Sequence, residues 1–230
     1  MDKINGLRYA FRITVLVLLM ANGASAATIT VPDDYARIQW AIDNAISGDT
    51  IEVHNDTYNE NVNVNKQLTM RGIGMSAVNA GAITLAADGI ILEGFTALIT
   101  VTSNNNTLID NEATNHYPSY APVYGIYLSS SSNNTLINNK ANSNSGYEGG
   151  YGIFLSSSNN NMLIDNEANS NSGVYGSSSG IYLSASNNNT LIGNNASNNK
   201  YGISMSSSSN NTLINNIMTG NLAAASTRAR

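Results

Sequence analysis

The chain consists of short apolar segments separated by polar runs. Apolar and polar residues alternate within these segments, so that Ile126 and Leu128 fall on one face of their segment and Tyr127 on the other. Alternation with a period of two is typical of β-strands that bury one face. The intervening Ser, Asn and Gly residues favour turns and disfavour long helices. The pattern therefore predicts many short strands joined by polar turns.

The polar turns contain a repeat built around the tripeptide Asn-Asn-Thr. Five copies align on its third residue, and their spacings are 28, 27, 28 and 22 residues. Ten residues earlier stands the Gly of a Gly-Ile pair, or Ala97 in the first copy. Because this offset never changes, the repeats differ in length only in the connection that leads from one copy to the next. Three of these connections make their repeats 6, 5 and 6 residues longer than the base unit of 22 residues. The aligned third residues are Thr107, Thr135, Met162, Thr190 and Thr212.

A 22-residue unit of short strands and turns predicts one coil of a parallel β-helix. We expect an all-β, right-handed, single-stranded parallel β-helix of about seven coils, with equivalent positions stacked about 4.8 Å apart. The pattern does not decide which of Leu136 and Ile137 points inward. The predicted interior leucine column is Leu136, Leu163, Leu191 and Leu213. The predicted asparagine column is Asn111, Asn139, Asn166, Asn194 and Asn216.

The two ends of the predicted solenoid differ. Residues 34–46 place Ile38, Ile42 and Ala45 at helical spacing between two short strands, so we expect an amphipathic helix that covers the first coil, with Trp40 off its apolar face. Residues 221–230 are too few and too weakly apolar to cover the last coil. The alternatives for this open end are fraying, an association partner, self-association and a shortened chain.

The first residues have the composition of an export signal. Lys3, Arg8 and Arg12 precede an apolar run over residues 13–21, and small residues follow up to Ala26. The apolar run is about half of the ~20 residues needed to cross a bilayer. We therefore predict a signal peptide over 1–26, a cap with the first coils over 27–75, repeats over 76–220 and a tail over 221–230. The mature chain should be secreted, extracellular or at the cell surface, or periplasmic in a cell with two membranes, with no membrane insertion.

Composition narrows the possible partners. The net charge is −5 without a basic cluster, which argues against nucleic-acid binding, and the absence of cysteine leaves stability to packing and hydrogen bonds. The 38 asparagines are explained by stacked amides that hydrogen-bond along the solenoid axis. The alternative is N-glycosylation, since several asparagines stand in N-x-S/T sequons. These are Asn55, Asn105, Asn133, Asn188, Asn195 and Asn210.

The three longer connections contain six of the chain's 12 tyrosines. Connections at one point of a repeat emerge at one corner of neighbouring coils, so we expect a single lobe, and such insertions commonly build a binding face. Tyrosine combines a flat apolar face with a polar tip, which suits a sugar ring, although the rings could serve packing alone. Outward Tyr127, Phe154 and Tyr182 form another column. The predicted carbohydrate-binding residues are Tyr117, Tyr120, Tyr124, Tyr147, Glu148, Tyr151 and Tyr175.

The order of these segments resembles a known family. A capping helix, then TIEV and TYNENVNVNKQLTMRG, then units of the form GIxLS and NNTLIxN, is similar to the NosD-like family of right-handed parallel β-helix proteins of prokaryotic envelopes. The resemblance covers about residues 28–220 and implies the fold. It leaves function open, because related β-helices include polysaccharide lyases and hydrolases, sugar-binding surface proteins and accessory proteins for copper-enzyme maturation.

Catalysis and copper handling are the competing chemistries. Asp110 and Asp165 are the acidic candidates for a polysaccharide-active lyase or hydrolase, but they share a column about 9.6 Å apart and project side by side. Copper needs convergent soft or imidazole ligands, whereas His54, His116 and the methionines occupy different columns, so we expect no metal and no cofactor. We predict an exported, non-catalytic module that binds polysaccharide or a cell-surface polymer. A purely structural envelope protein is a further alternative.

Overall fold

The computed structural model describes residues 26–74, 78–114, 120–223 and 227–228. The predicted signal peptide, apart from Ala26, lies outside the described residues, as do His116 and Tyr117. The described residues form one helix, α1 (Ile38–Asn44), and short strands throughout. The first ten strands are β1 (Thr28–Val31), β2 (Thr50–His54), β3 (Thr57–Tyr58), β4 (Val62–Val64), β5 (Thr69–Ile73), β6 (Val78–Leu85), β7 (Ile91–Glu93), β8 (Phe95–Val101), β9 (Thr107–Ile109) and β10 (Val123–Ser129). The others are β11 (Thr135–Ile137), β12 (Ser145–Gly146), β13 (Gly150–Ser156), β14 (Met162–Ile164), β15 (Ser172–Gly173), β16 (Ser179–Ser184), β17 (Thr190–Ile192), β18 (Tyr201–Ser206), β19 (Thr212–Ile214) and β20 (Thr227–Arg228).

The strands form two long parallel sheets that run along the axis of a solenoid. Sheet A has the order β1-β2-β5-β7-β9-β11-β14-β17-β19, and sheet B has the order β20-β18-β16-β13-β10-β8-β6-β3, with β4 also paired to β6. A short third sheet pairs β12 with β15. The predicted right-handed parallel β-helix is confirmed. Within the described residues sheet A has nine strands, more than the seven coils expected, because the coils before Asn105 lack the Asn-Asn-Thr signature.

Equivalent leucines lie directly over one another in sheet A. Leu136 pairs with Leu163, Leu163 with Leu191, and Leu191 with Leu213. The first three side chains are fully buried, so the leucine rather than the following isoleucine faces the core. Leu213 is 41% exposed because its strand β19 forms the edge of sheet A. Stacked apolar columns of this kind make one continuous core, so stability is shared between coils.

Helix α1 covers the apolar end of the first coils and is shorter than the predicted 34–46. Asp34 does not enter the helix because its carboxylate accepts hydrogen bonds from the backbone N–H and hydroxyl of Thr30, at 2.7 and 2.8 Å. The helix buries Ile38, Ala41 and Ile42. Trp40 is 49% exposed, off that face as expected.

Two charged side chains from the solenoid hold the ends of α1. The Glu60 carboxylate accepts the backbone N–H groups of Ile38 and Gln39, at 2.9 and 3.2 Å. At the other end the Lys66 ammonium donates to three backbone carbonyls between Ile42 and Ala45, at 2.8 to 2.9 Å. Negative charge at the N-terminus and positive charge at the C-terminus match the helix dipole and satisfy its unpaired backbone groups.

Buried asparagine amides connect neighbouring coils. Asn139 donates its backbone N–H and its side-chain Nδ2 to Oδ1 of Asn166, both at 2.9 Å, and Nδ2 also donates to the carbonyl of Leu108 at 3.0 Å. The predicted column Asn111 to Asn216 repeats this pattern from coil to coil. Each amide thus uses both hydrogens and its oxygen, which removes the penalty for burying it.

Two further asparagine rows were not predicted. One runs through Asn106, Asn134, Asn161, Asn189 and Asn211. The other runs through Asn144, Asn171, Asn199 and Asn221. Because several turns of each coil are held by buried amides, the high Asn content has a structural use at these positions.

Other asparagines and serines occupy corners with a left-handed backbone. Asn105, Asn133, Asn188 and Asn210 have φ between 55° and 58° and exposed side chains. Asparagine tolerates this conformation better than most residues. Four of the six sequons therefore present their asparagine at the same exposed corner of different coils.

We predict that removal of one amide from the middle of a row destabilises the whole solenoid. Asn166→Ala leaves two Asn139 donors and the Leu136 carbonyl without their partners, so the free energy of unfolding should fall by about 3 kcal/mol or more. Urea unfolding followed by circular dichroism measures the change. Asn216→Ala is the matched control at the partly exposed end of the same row, where water replaces the amide, and should have a clearly smaller effect. Equal effects of the two substitutions would contradict this account.

Candidate functional site

The predicted carbohydrate-binding residues divide into two groups in the structure. Tyr120, Tyr147, Glu148 and Tyr175 lie on the connections between coils and form what we call the tyrosine lobe. Tyr124 and Tyr151 do not belong to it: they are strand residues of β10 and β13. The expectation that all these tyrosines lie on the insertions was wrong for these two, because the strands of sheet B begin before the Gly-Ile pair.

The tyrosine lobe is held together by its backbone. Strands β12 and β15 pair in register, and the N–H of Tyr175 donates to the carbonyl of Tyr147 at 3.0 Å. The ring centroids of Tyr147 and Tyr175 are 4.9 Å apart at an interplanar angle of 63°, and those of Tyr120 and Tyr147 are 5.4 Å apart at 57°. The three side chains are 86%, 39% and 76% exposed for Tyr120, Tyr147 and Tyr175. The lobe is therefore a fixed row of tilted, solvent-facing rings.

The polar tips of the lobe interact as well as its rings. A hydrogen bond with the Tyr175 side chain raises the pKa of Tyr147 above its usual value. The Tyr147 hydroxyl therefore stays protonated at neutral pH and acts as a donor and an acceptor. Glu148 is exposed beside Tyr147 and adds carboxylate acceptors.

A second set of rings forms a stack along the outside of sheet B, which we call the aromatic ladder. Its members are Tyr124, Tyr127, Tyr151, Phe154 and Tyr182. Neighbouring centroids lie 4.9 to 5.6 Å apart with interplanar angles of 9° to 27°. The side chains are only partly exposed. Offset stacking at this distance stabilises the aligned coils beyond area burial alone.

The glycine between the two rings of each strand has no room for a side chain. A Cβ atom at Gly152 would lie 2.6 Å from the carbonyl oxygen of Ala141 and 2.7 Å from that of Gly180. The backbone of sheet B therefore packs closely against the neighbouring turns at this position. The rings on either side of the glycine, Tyr151 and Phe154, stack with centroids 5.5 Å apart.

The aromatic ladder is interrupted where the repeat has serine in place of an aromatic residue. The first column of ring positions continues in register as Tyr124, Tyr151, Ser179 and Tyr201. The second column continues as Tyr127, Phe154, Tyr182 and Ser204. A cavity of about 420 Å³ lies at this interruption. It is lined by Tyr151, Ser177, Ser179, Tyr182, Tyr201, Ser204, Met205 and Ser206.

Sequence reasoning missed this cavity, although its signal is present in the repeat. The four copies of the sheet B motif are YGIY, YGIF, SGIY and YGIS, so the aromatic residue is absent once before and once after the Gly-Ile pair. Only the strand register shows that the two missing rings fall next to each other.

The acidic catalytic candidates occupy corners of the solenoid. Asp110 and Asp165 both have φ of 53°, and Asn138 lies between them in register with φ of 55°. Asn138 donates its side-chain amide to the carboxylate of Asp110. Both aspartates thus stand at positions that need a left-handed backbone, which asparagine and aspartate tolerate, and they lie two coils apart along one corner.

The candidate copper ligands are spread over the described residues. Met70 is buried in β5, Met162 faces outward in β14, and Met205 lines the cavity in β18. His54 lies at the end of β2, with Nδ1 3.9 Å from an Asp33 carboxylate oxygen. Soft and imidazole ligands therefore do not converge, and in the described ranges no three His, Cys, Asp or Glu side chains are grouped to hold a metal ion. In the same part of the chain, no helix has the length and hydrophobicity to span a bilayer.

We predict that the ladder makes the protein sensitive to alkaline pH. Burial, and next the neighbouring Tyr124 and Tyr182, raise the pKa of Tyr151 to about 12 from a usual 10.0. In that interval the unfolded chain releases this proton while the folded chain keeps it, so the free energy of unfolding should fall as pH rises from 10.0 to about 12. Urea unfolding across this interval measures the fall. Tyr151→Phe removes the titrating group and should make the decline shallower; an unchanged decline would contradict the assignment.

Comparisons with solved structures identify the same architecture elsewhere. The A-module of mannuronan C-5 epimerase AlgE4 from Azotobacter vinelandii superposes with a TM-score of 0.54 at 12% identity, covering 79% of this chain and 59% of that module. The AlgE6 A-module from the same organism gives a TM-score of 0.56 at 11% identity, covering 80% of this chain and 60% of that module. At these identities the likeness concerns the fold alone.

Sequence comparisons add a relative and a family. A cell surface glycoprotein of Methanothermus fervidus is 30% identical over an alignment of 115 residues, and the match covers 44% of this chain and 19% of that protein. This chain therefore spans less than a fifth of the glycoprotein and about 60% of each epimerase module. Residues 42–229 match the family described as periplasmic copper-binding protein (NosD), as the resemblance of the repeats implied. With its β-helix and most of its length matched, the chain belongs to the NosD family.

Proposed function

We propose that this protein is an exported, non-catalytic β-helix module of the cell surface that binds carbohydrate or a surface polymer through the tyrosine lobe. The observation that carries the proposal is the row of contacting, solvent-accessible rings formed by Tyr120, Tyr147 and Tyr175, the last two on insertions that pair through their backbones. Neighbouring aromatic side chains that contact one another and remain accessible to solvent are typical of an interaction surface.

The chemistry of the lobe suits a sugar chain. Aromatic faces receive the C–H faces of pyranose rings, and phenolic hydroxyls exchange hydrogen bonds with sugar hydroxyls. Glu148 offers a further acceptor beside the rings. Because β12 and β15 hold the insertions in register, the rings are ordered before a ligand arrives, which lowers the entropic penalty of binding.

The relatives support this location and ligand class. One is a cell surface glycoprotein, and the NosD family is described as periplasmic, so both are exported proteins. The β-helix neighbours are epimerases of mannuronan, a polysaccharide, which supports the view that this architecture can present a surface to such chains.

Copper binding, which the description of the family names, does not fit the described residues of this chain. Copper sites require ligands that converge on one point, whereas Met70, Met205 and His54 lie on different strands of the solenoid. Catalysis by Asp110 and Asp165 gains no support from their positions, since both project from one corner instead of facing each other across a cleft.

The final coil presents apolar side chains to solvent. Leu213, Ile217 and Leu222 are 41%, 51% and 86% exposed. Self-association through this end stays a prediction, and sedimentation of the full chain at several concentrations measures it. Concentration-dependent dimers would support it.

We predict that loss of the lobe rings abolishes polymer binding without loss of stability. The double substitution Tyr147→Ala and Tyr175→Ala removes exposed rings, so retention on an array of cell-surface glycans and polysaccharides should fall by about tenfold or more. The thermal midpoint should change little because both side chains are solvent-facing.

Trp40→Ala is the matched control, because Trp40 is an exposed aromatic side chain on α1, away from the lobe. This variant should bind the array as the unsubstituted protein does. If retention on the array survives the double substitution, or if Trp40→Ala reduces retention to the same extent, the lobe is not the binding surface. New reducing ends or unsaturated products after incubation with the polysaccharides would show catalysis and overturn the non-catalytic assignment.

A further inference from the structure

The interruption of the aromatic ladder creates a second, separate surface feature. In the first column Ser179 stands between Tyr151 and Tyr201, and in the second column Ser204 follows Tyr182. Two neighbouring ring positions are thus occupied by small hydroxyl side chains. The cavity of about 420 Å³ is lined by these two serines and by the flanking rings of Tyr151, Tyr182 and Tyr201, and its size is within the range of ligand-binding pockets.

The spacing of the flanking rings fits one inserted ring. Tyr151 and Tyr201 are two strands apart in register, so about 9.6 Å separates their backbones at the usual strand spacing. Rings of one column on adjacent strands have centroids 5.0 to 5.5 Å apart. Two such steps are slightly longer than the Tyr151 to Tyr201 backbone separation, so there is room for a single six-membered ring between these two rings and not for two.

The floor of the cavity is organised and polar. The hydroxyls of Ser179 and Ser204 hydrogen-bond to each other at 2.7 Å, and both side chains are buried. The Lys200 ammonium lies 5.8 Å from the centroid of the Tyr201 ring, over its face, which favours a fixed orientation of that ring. The cavity is therefore a slot with aromatic walls and a serine floor.

We propose that this slot binds one neutral pyranose ring of a polysaccharide, sandwiched between Tyr151 and Tyr201. The aromatic walls receive the two apolar faces of the sugar, and its equatorial hydroxyls meet the accessible hydroxyls of Ser177 and Ser206, which also line the cavity. Tyr151 keeps its hydroxyl proton at all physiological pH values and donates it. The lining residues carry no charge, and the Lys200 ammonium over Tyr201 already donates to the backbone carbonyl of Gly176 at 3.5 Å, so we expect the slot to prefer a neutral sugar to a uronate or phosphate. The slot is distinct from the tyrosine lobe and does not depend on it.

Filling the slot with protein tests the proposal. Ser179→Tyr places a ring at the register position held by tyrosine in the two preceding strands, so the substitution suits the fold and occupies the site. The measurement is retention on immobilised hexamers of glucose, mannose, galactose and N-acetylglucosamine, with hexamannuronate as the charged comparison. The unsubstituted protein should bind at least one neutral hexamer, and Ser179→Tyr should weaken that binding by about tenfold or more.

Thr100→Tyr is the matched control, because Thr100 pairs with Tyr127 at the far end of the second column and lies away from the cavity. It adds one tyrosine to the ladder and should leave binding unchanged. Tyr201→Ala removes one wall and should weaken binding as Ser179→Tyr does, which keeps the test valid if Ser179→Tyr misfolds. Thermal midpoints of all variants establish that they are folded.

The same variants test the lobe proposal and the slot proposal independently. The slot is supported if neutral hexamers still bind the variant with Tyr147→Ala and Tyr175→Ala but no longer bind Ser179→Tyr. That result would rule out the lobe as the binding site for these sugars. Binding lost only in the lobe variant overturns the slot. Absence of neutral-hexamer binding at millimolar concentration, or retention confined to hexamannuronate, also overturns it.

Discussion

The structure depends on one constraint, which is that the polar groups buried at the corners of a coil have to be paired with the neighbouring coils. A solenoid of 22-residue turns cannot avoid burying backbone at its corners, and unpaired groups there would destabilise it severely. The asparagine rows solve this problem, since each amide accepts from the preceding coil and donates back to it. Any shift in register would break these bonds together, so the alignment that stacks leucines also fixes every outward position.

That fixed alignment makes the outward surface of sheet B predictable position by position. Where the repeat supplies aromatic residues, rings stack at about 5 Å, because the strands are spaced at nearly the thickness that stacked rings need. Where the repeat supplies serine, the strands keep the same parallel register, so the smaller side chains leave room beside the flanking rings. A cavity can therefore persist beside Tyr151 and Tyr201 without a loss of backbone order.

Sequence patterns predicted the fold because the repeat is explicit. The constant offset between the Gly-Ile pair and the tripeptide gave the register, and the leucine column followed from it. The shorter α1 was not predicted, because the local hydrogen bonds between Thr30 and Asp34 leave no signal in the hydrophobic periodicity. The additional coils were not predicted because their turns contain other residues in place of Asn-Asn-Thr. For the candidate site, the sequence identified the tyrosines but did not show that they belong to two surfaces. Tyr147 and Tyr151 are only four residues apart, yet the first lies in the lobe and the second in the aromatic ladder.

The separation of core rows from outward positions has a consequence for function. Substitutions at Tyr147 or Tyr201 change what the solenoid presents to solvent, whereas substitutions at Asn166 or Leu163 change whether its coils stay aligned. In a fold with a single closed core the two effects are usually mixed, because a binding pocket shares its walls with the interior. In this solenoid the slot walls are rings that stand on the outer face of a sheet whose other face is the core. Binding at the slot therefore depends on the side chains of three neighbouring coils, while the spacing of those coils is set on the opposite side of the backbone.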